Sequence, residues 1–146
     1  MTIQDIYCIK TDMVYYCTIE KEGDEYIVQF PDMPNIVTCG FSRDEALSTA
    51  KEALDGCLEA DIYQGNTIPK PLYKKGNPIT VANHIAVAMQ LREIRGSQSQ
   101  TDIAKKLGLS YQAYQRLENP RKSNPTIKTL ERIAHVFGRE LNIQIG

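Results

Sequence analysis

Apolar positions change period along this chain, and the changes divide it. From Met13 to Ile19 (MVYYCTI) β-branched and aromatic residues dominate. From Tyr26 to Phe30 (YIVQF) apolar and polar positions alternate, placing Tyr26, Val28 and Phe30 on one face. The intervening EKEGDE carries Gly23 and Asp24, which supply turn chemistry, so the two runs predict a β-hairpin. After Pro31-Asp32-Met33-Pro34 a third strand is predicted over Ile36–Cys39, running to Gly40. Ser42-Arg43-Asp44-Glu45 has the form of a capping box, in which the serine accepts a first-turn amide and the glutamate reaches back to the serine's own N–H. The helix it opens sets Ala46, Ala50, Ala53, Leu54, Cys57 and Leu58 on one stripe at spacings of three and four. The predicted order is β-β-β-α, with the helix over one sheet face.

From Gln64 to Thr80 the pattern dissolves into QGNTIPKPLYKKGNPIT, whose prolines favour extended backbone, and 69–80 is expected to be a linker. Beyond it the period is helical. Val87, Ala88, Leu91 and Ile94 line a first helix ending near Gly96. Ser99 caps a short second helix whose apolar side is Ile103, Ala104 and Leu107, and Gly108 closes it with a left-handed turn. Ser110 caps a third helix, Tyr111 to Glu118, stopped by Asn119-Pro120, and a fourth starts after Pro125-Thr126 and buries Ile127, Leu130, Ile133, Ala134 and Phe137. The tail Glu140–Ile145 alternates as a short strand would. Residues 1–12 show little pattern and are expected to be a weakly ordered extension.

Two short helices joined through a glycine turn within a small bundle have the geometry of a DNA-binding helix-turn-helix. Small Ala104 allows a close crossing and Leu117 anchors the second helix. Tyr111, Gln112, Gln115 and Arg116 are then exposed on the recognition helix, where glutamine pairs with adenine edges and arginine with guanine. Amides near Gln100 and Ser110 are placed to meet phosphates, with Arg121, Lys122 and Lys128 adding backbone contacts.

Charge sharpens the division. Met1–Ile68 holds 4 Lys/Arg against 13 Asp/Glu, and Pro69–Gly146 holds 13 against 5, so a chain of net charge −1 joins an acidic half to a basic one. Such fields steer partners of opposite sign, or draw the two halves to each other. The basic half points to phosphate and the acidic half to something cationic. The 146 residues fit two small domains, 13–68 and 81–146, whose thin cores favour help from metal, disulfide or a second subunit. Cys8, Cys17, Cys39 and Cys57 are scattered without a C-x-x-C, and only His84 and His135 accompany them, which leaves oligomerisation, with no metal or cofactor expected. Unpaired cysteines and the lack of a leader or long apolar run predict a cytoplasmic, membrane-free protein. Asp24, Asp32, Asp44, Glu45 and Glu52 were they convergent would suit a two-Mg²⁺ nuclease, but turn and cap positions explain several of them and no catalytic residue is expected.

The block SQTDIAKKLGLSYQAYQRLEN resembles the Cro/C1-type (XRE) repressor helix-turn-helix, which implies that Gln100 clamps phosphate and that Ser110, Tyr111, Gln112, Gln115 and Arg116 face the groove. Tyr111 departs from the small or amide residues common there. FPDMPNIVTCGFSRDEALSTAKEAL is similar to the HicB antitoxins, with their Pro-Asp-x-Pro, Thr-x-Gly and Ser/Thr-x-x-Glu-Ala in order. The likeness implies an α+β chain: a partial RNase H-like domain without nuclease activity, a linker, then an all-α DNA-binding domain with a short C-terminal strand. It also implies a basic mRNA-cleaving HicA-type toxin as partner, repression of the shared operon through operator double-stranded DNA, and dimers or larger assemblies.

Within the acidic domain Tyr26, Phe30, Pro31 and Met33 are the expected toxin anchors, with Asp24 and Asp32 at the rim. Leu141, Ile143 and Ile145 are the expected dimerisation residues, because an isolated strand leaves an open edge. A repressor whose acidic half senses a ligand, or a nuclease, would be the other classes. Co-purification of a basic partner and addition of Mg²⁺ with a nucleic-acid substrate separate them.

Overall fold

The computed structural model describes residues 8–10 and 12–143. The chain forms two units, Met13–Ala82 and a second built from 83–143 with the strand that precedes Met13. The fold class is α+β, with an antiparallel sheet first and the helices of the second unit after it.

In the first unit β2 (Val14–Glu22) and β3 (Glu25–Gln29) form the predicted hairpin around Gly23-Asp24, and β4 (Val37–Gly40) adds to β3. The helix α1 (Arg43–Gln64) covers one face and buries Ala46, Ala50, Leu54, Leu58 and Ile62 against Tyr15, Cys17, Val28 and Phe30. Ser42 Oγ accepts the Glu45 N–H at 3.1 Å as expected of a cap. The Glu45 carboxylate reaches one residue further back than the capping box predicts, accepting the Phe41 N–H at 3.2 Å. Gly40 is where helix and sheet come closest: a Cβ there would lie 2.5 Å from the Ala46 backbone nitrogen, so the Thr-x-Gly motif is a steric requirement of this packing.

The expected linker 69–80 is only partly irregular. Asn77–Thr80 is a strand, β5, pairing antiparallel with β2 in a sheet of order β4-β3-β2-β5. Pro78 disguises it in the sequence, yet proline is tolerated on an edge strand, and β5 is one. The loop before β5 is tied down as well. Tyr15 Oη donates to the Pro69 carbonyl at 2.6 Å, and the Tyr73 N–H donates to Asp32 at 2.8 Å. The first unit thus runs to Ala82, and on its real boundaries it holds six Lys/Arg against eleven Asp/Glu, a balance of −5. Its entry and exit are adjacent, since the Val81 N–H bonds the Met13 carbonyl at 2.8 Å.

The second unit contains α2 (Asn83–Arg95), α3 (Gln100–Leu107), α4 (Tyr111–Leu117) and α5 (Ile127–Val136). Val87, Leu91, Ile103, Ala104, Leu107, Tyr114, Leu117, Leu130, Ile133 and Ala134 make its core. Ile127, expected inside, is 58% exposed at the start of α5, and Phe137 is half-buried against the core's edge. The tail strand β6 (Glu140–Asn142) does not lack a partner in its own chain: β1 (Cys8–Lys10) lies parallel to it, with Ile9 opposite Leu141. Ile9 is fully buried in this core, so the segment 8–10 is a structural strand and not part of a loose extension. Of the expected dimerisation residues Leu141 is half-buried against the core, Ile143 is 40% exposed, and Ile145 lies outside the described residues. The acidic unit is therefore inserted between β1 and α2 of the helical one. Among the described residues no helix is long and apolar enough to cross a membrane.

Candidate functional site

The helix-turn-helix is set by three local devices. Ser99 Oγ accepts the Asp102 N–H at 3.0 Å and Ser110 Oγ accepts the Ala113 N–H at 3.1 Å, fixing where α3 and α4 begin. Between them Gly108 adopts φ +69°, a left-handed conformation that lets its N–H reach back to the last turn of α3. The Arg132 guanidinium, from α5, donates to the Leu107 carbonyl in the same turn. Ala104, 2% exposed, lies in the core beneath the crossing, and Leu117 holds α4 from below.

That arrangement leaves Tyr111, Gln112, Gln115 and Arg116 exposed on α4 and Arg121 and Lys122 exposed in the turn after it. Gln115 Nε2 donates to Tyr111 Oη at 3.4 Å, so these two side chains, one turn apart, already restrict each other. Gln100 is half-buried at the first position of α3, and the hydroxyl of Ser110 is occupied as a cap. Asn119 organises the following turn, its side-chain oxygen accepting the Arg121 N–H at 3.0 Å.

One part of the site escaped the sequence reading. Glu118, beyond the last turn of α4, is 6% exposed and takes both oxygens into a bidentate pair with Arg95 of α2, at 2.7 and 3.0 Å. Arg95 also donates to the Gln98 carbonyl at 2.8 Å, which ties the α2–α3 turn to the end of the recognition helix. Hydrogen bonding to Glu118 holds the Arg95 guanidinium above its ordinary range. Tyr114, fully buried alongside, has a hydroxyl without a partner of normal geometry; burial first, then the neighbouring Glu118, pushes its phenol up. The available signal was an arginine ending one helix and a glutamate ending another, which spacing alone cannot join.

In the acidic unit the motif residues have structural work. Asp32 binds the Tyr73 N–H, Gly40 admits α1, and Ser42 and Glu45 cap it. Residues 14–92 match the family described as HicB_like antitoxin of bacterial toxin-antitoxin system, and residues 90–143 match the helix-turn-helix family. The chain belongs to the HicB-like antitoxin family. Among its relatives, Antitoxin HicB 1 of Photorhabdus laumondii is 30% identical over 137 residues, covering 92% of this chain and 88% of that protein. Antitoxin HicB 2 of the same organism is 28% identical over 134 residues, covering 90% and 96%. An uncharacterized 14.9 kDa protein in the rep-hol intergenic region of Haemophilus phage HP1 is 36% identical over 67 residues, 46% of this chain and 47% of that protein.

The HicB-like unit redistributes the residues expected to meet a partner. Phe30 and Met33 are 1% and 4% exposed and belong to the core, so neither is an anchor on the surface. Phe30 shares a face with Val28, as the alternation of Tyr26, Val28 and Phe30 predicts, and that face is the one under α1; Met33 is buried from the turn that follows. Tyr26 is half-buried on that same side, with the Lys21 ammonium 5.8 Å from its ring centre. Asp24 and Pro31 are exposed, and Asp32 is half-buried.

Proposed function

We propose that this HicB-like chain is the antitoxin of a two-gene pair. Its inserted acidic unit binds and silences an HicA-type mRNA-cleaving toxin, and its helix-turn-helix binds the operator of the shared operon. It works in the cytoplasm by binding alone, without cofactor or turnover of its own. The observation that carries the reading is the union, in one chain, of the HicB-like match over 14–92 with a recognition helix whose Gln112, Gln115 and Arg116 are exposed.

Gln112 and Arg116 have the side-chain chemistry to read adenine and guanine edges, and in this reading Gln100, Ser110, Tyr111, Gln115, Arg121 and Lys122 take the phosphate and sugar contacts around them. One recognition helix per chain suits a two-fold operator read by a homodimer or higher assembly. The outward edge of β6, with Ile143 beside it, is the contact we assign to that dimer, and Leu141 supports the strand from inside. Asp24 at the hairpin tip and Pro31 remain toxin-facing in this reading.

The test is to express the chain with the small basic protein encoded beside it. Co-purification of the two, protection of RNA by the chain, and retention of the promoter DNA support the reading. A chain that neither retains the neighbouring protein nor protects RNA defeats it.

A further inference from the structure

The sheet of the acidic unit has one face under α1, the one helix among the described residues of this unit, and an opposite face that α1 does not cover. The register sorts side chains between them. Tyr15, Cys17, Val28 and Ile79, all buried, point to α1, so their neighbours in each strand point away. Across this outer face Thr18, Gln29 and Val37 form one row, and Glu20, Ile27 and Cys39 the next. The hairpin end closes with Glu22 directly opposite Glu25. Tyr16 and Pro78 lie at the other end.

Two properties of that surface identify what it fits. Its middle is apolar, with Val37 63% exposed, Cys39 exposed and Ile27 and Tyr16 half-exposed. Its hairpin end is acidic, and none of the strand residues on this face is Lys or Arg. Directly opposed like charges on a ladder destabilise it, and Glu22 and Glu25 are such a pair, with Glu20 on the same side. A second copy of this chain stacked on the face would add carboxylate to carboxylate. A cationic surface with an apolar centre would instead relieve the repulsion while covering Val37 and Ile27.

We infer that the outer face of this sheet is the toxin-docking surface, with Val37 and Ile27 as the covered anchors and Glu20, Glu22 and Glu25 as the electrostatic guide. This rests on the antitoxin reading above and specifies where on the acidic unit the basic partner sits. Cys39 is a native reporter for it. The thiol is exposed on this face, whereas Cys17 is buried on the other and burial pushes its thiol up, as burial and the Asp61 carboxylate do for the Cys57 thiol.

The test uses the full chain and the purified HicA-type toxin encoded beside it. Binding is measured by calorimetry, and maleimide alkylation of Cys39 is followed by peptide mass spectrometry. Saturating toxin is expected to slow Cys39 alkylation at least about tenfold. Val37→Arg is expected to weaken binding by about tenfold or more, while Tyr63→Arg, a change at a 60% exposed position on α1 across the sheet, leaves it unchanged. If toxin binds with Cys39 still fully reactive and Val37→Arg without effect, the face is wrong and the antitoxin reading stands. If no toxin binds the wild-type chain, the antitoxin reading falls, and this inference with it. The alkylation arm uses the wild-type protein, so it decides even where a variant folds poorly.

Discussion

Single side chains in the helix-turn-helix divide into those that hold the recognition helix and those that use it. Arg95 and Glu118 hold it. With the carboxylate 6% exposed, removing the guanidinium strands a buried charge, and Arg95→Met is expected to cost about 3 to 5 kcal/mol, read from the urea midpoint. Replacing both partners by methionine should recover much of that loss, because it is the unpaired charge that is expensive. Gln112 and Lys122 are exposed and leave stability nearly unchanged. Gln112→Ala is expected to cost about 1 to 3 kcal/mol on the operator and little on scrambled duplex, since a base-edge bond carries the sequence information. Lys122→Ala should weaken both duplexes alike and reduce the salt slope by about one ion. Titrations of the two variants at several salt concentrations separate these behaviours; equal losses on both duplexes for Gln112→Ala would remove it as a reader of bases.

At the scale of elements, the close approach of α1 to β4 and the docking of β1 are the points where small changes should matter most. Gly40→Ala places a methyl group 2.5 Å from the Ala46 backbone and is expected to cost about 2 kcal/mol or more, measured as a drop in the melting temperature. Ile9→Ala, in a strand three residues long, should cost about 2 to 4 kcal/mol because Ile9 is fully buried in the helical core; a change near zero would mean that β1 does not stabilise that unit. These elements also show what was legible in the sequence. Caps at Ser42, Ser99, Ser110 and Thr126 and the turn at Gly108 are written locally, in residues two to four apart, and the helices follow them. Strand β5 was hidden because Asn-Pro-Ile-Thr reads as a linker until its partner is known. Strand β1 was hidden because its partner lies beyond the whole inserted unit. Sheet alternation identified the two faces but not which one α1 covers, and that choice turned Phe30 from anchor into core; Met33 is buried from the turn after β3, where alternation says nothing.

For the whole molecule, insertion of the acidic unit gives a concrete boundary. A fragment of 13–82 is expected to fold and inhibit the toxin, whereas 13–68 loses β5 and the Pro69 carbonyl that Tyr15 binds, and should be unfolded by circular dichroism. Deleting 141–146 should weaken dimerisation in sedimentation, and operator affinity with it, because two recognition helices must keep a fixed spacing. On the antitoxin reading one chain carries two separable binding functions, toxin through the acidic unit and operator through α4. The most direct measurement titrates the full chain, wild type and Gln112→Ala, into an RNA-cleavage assay with the neighbouring toxin and, in parallel, onto operator DNA. Such a division of functions predicts the same stoichiometric protection of RNA by both proteins and a loss of operator binding for the variant alone. RNA cleavage that continues at micromolar excess of the wild-type chain, or protection that falls together with operator binding in Gln112→Ala, would contradict it.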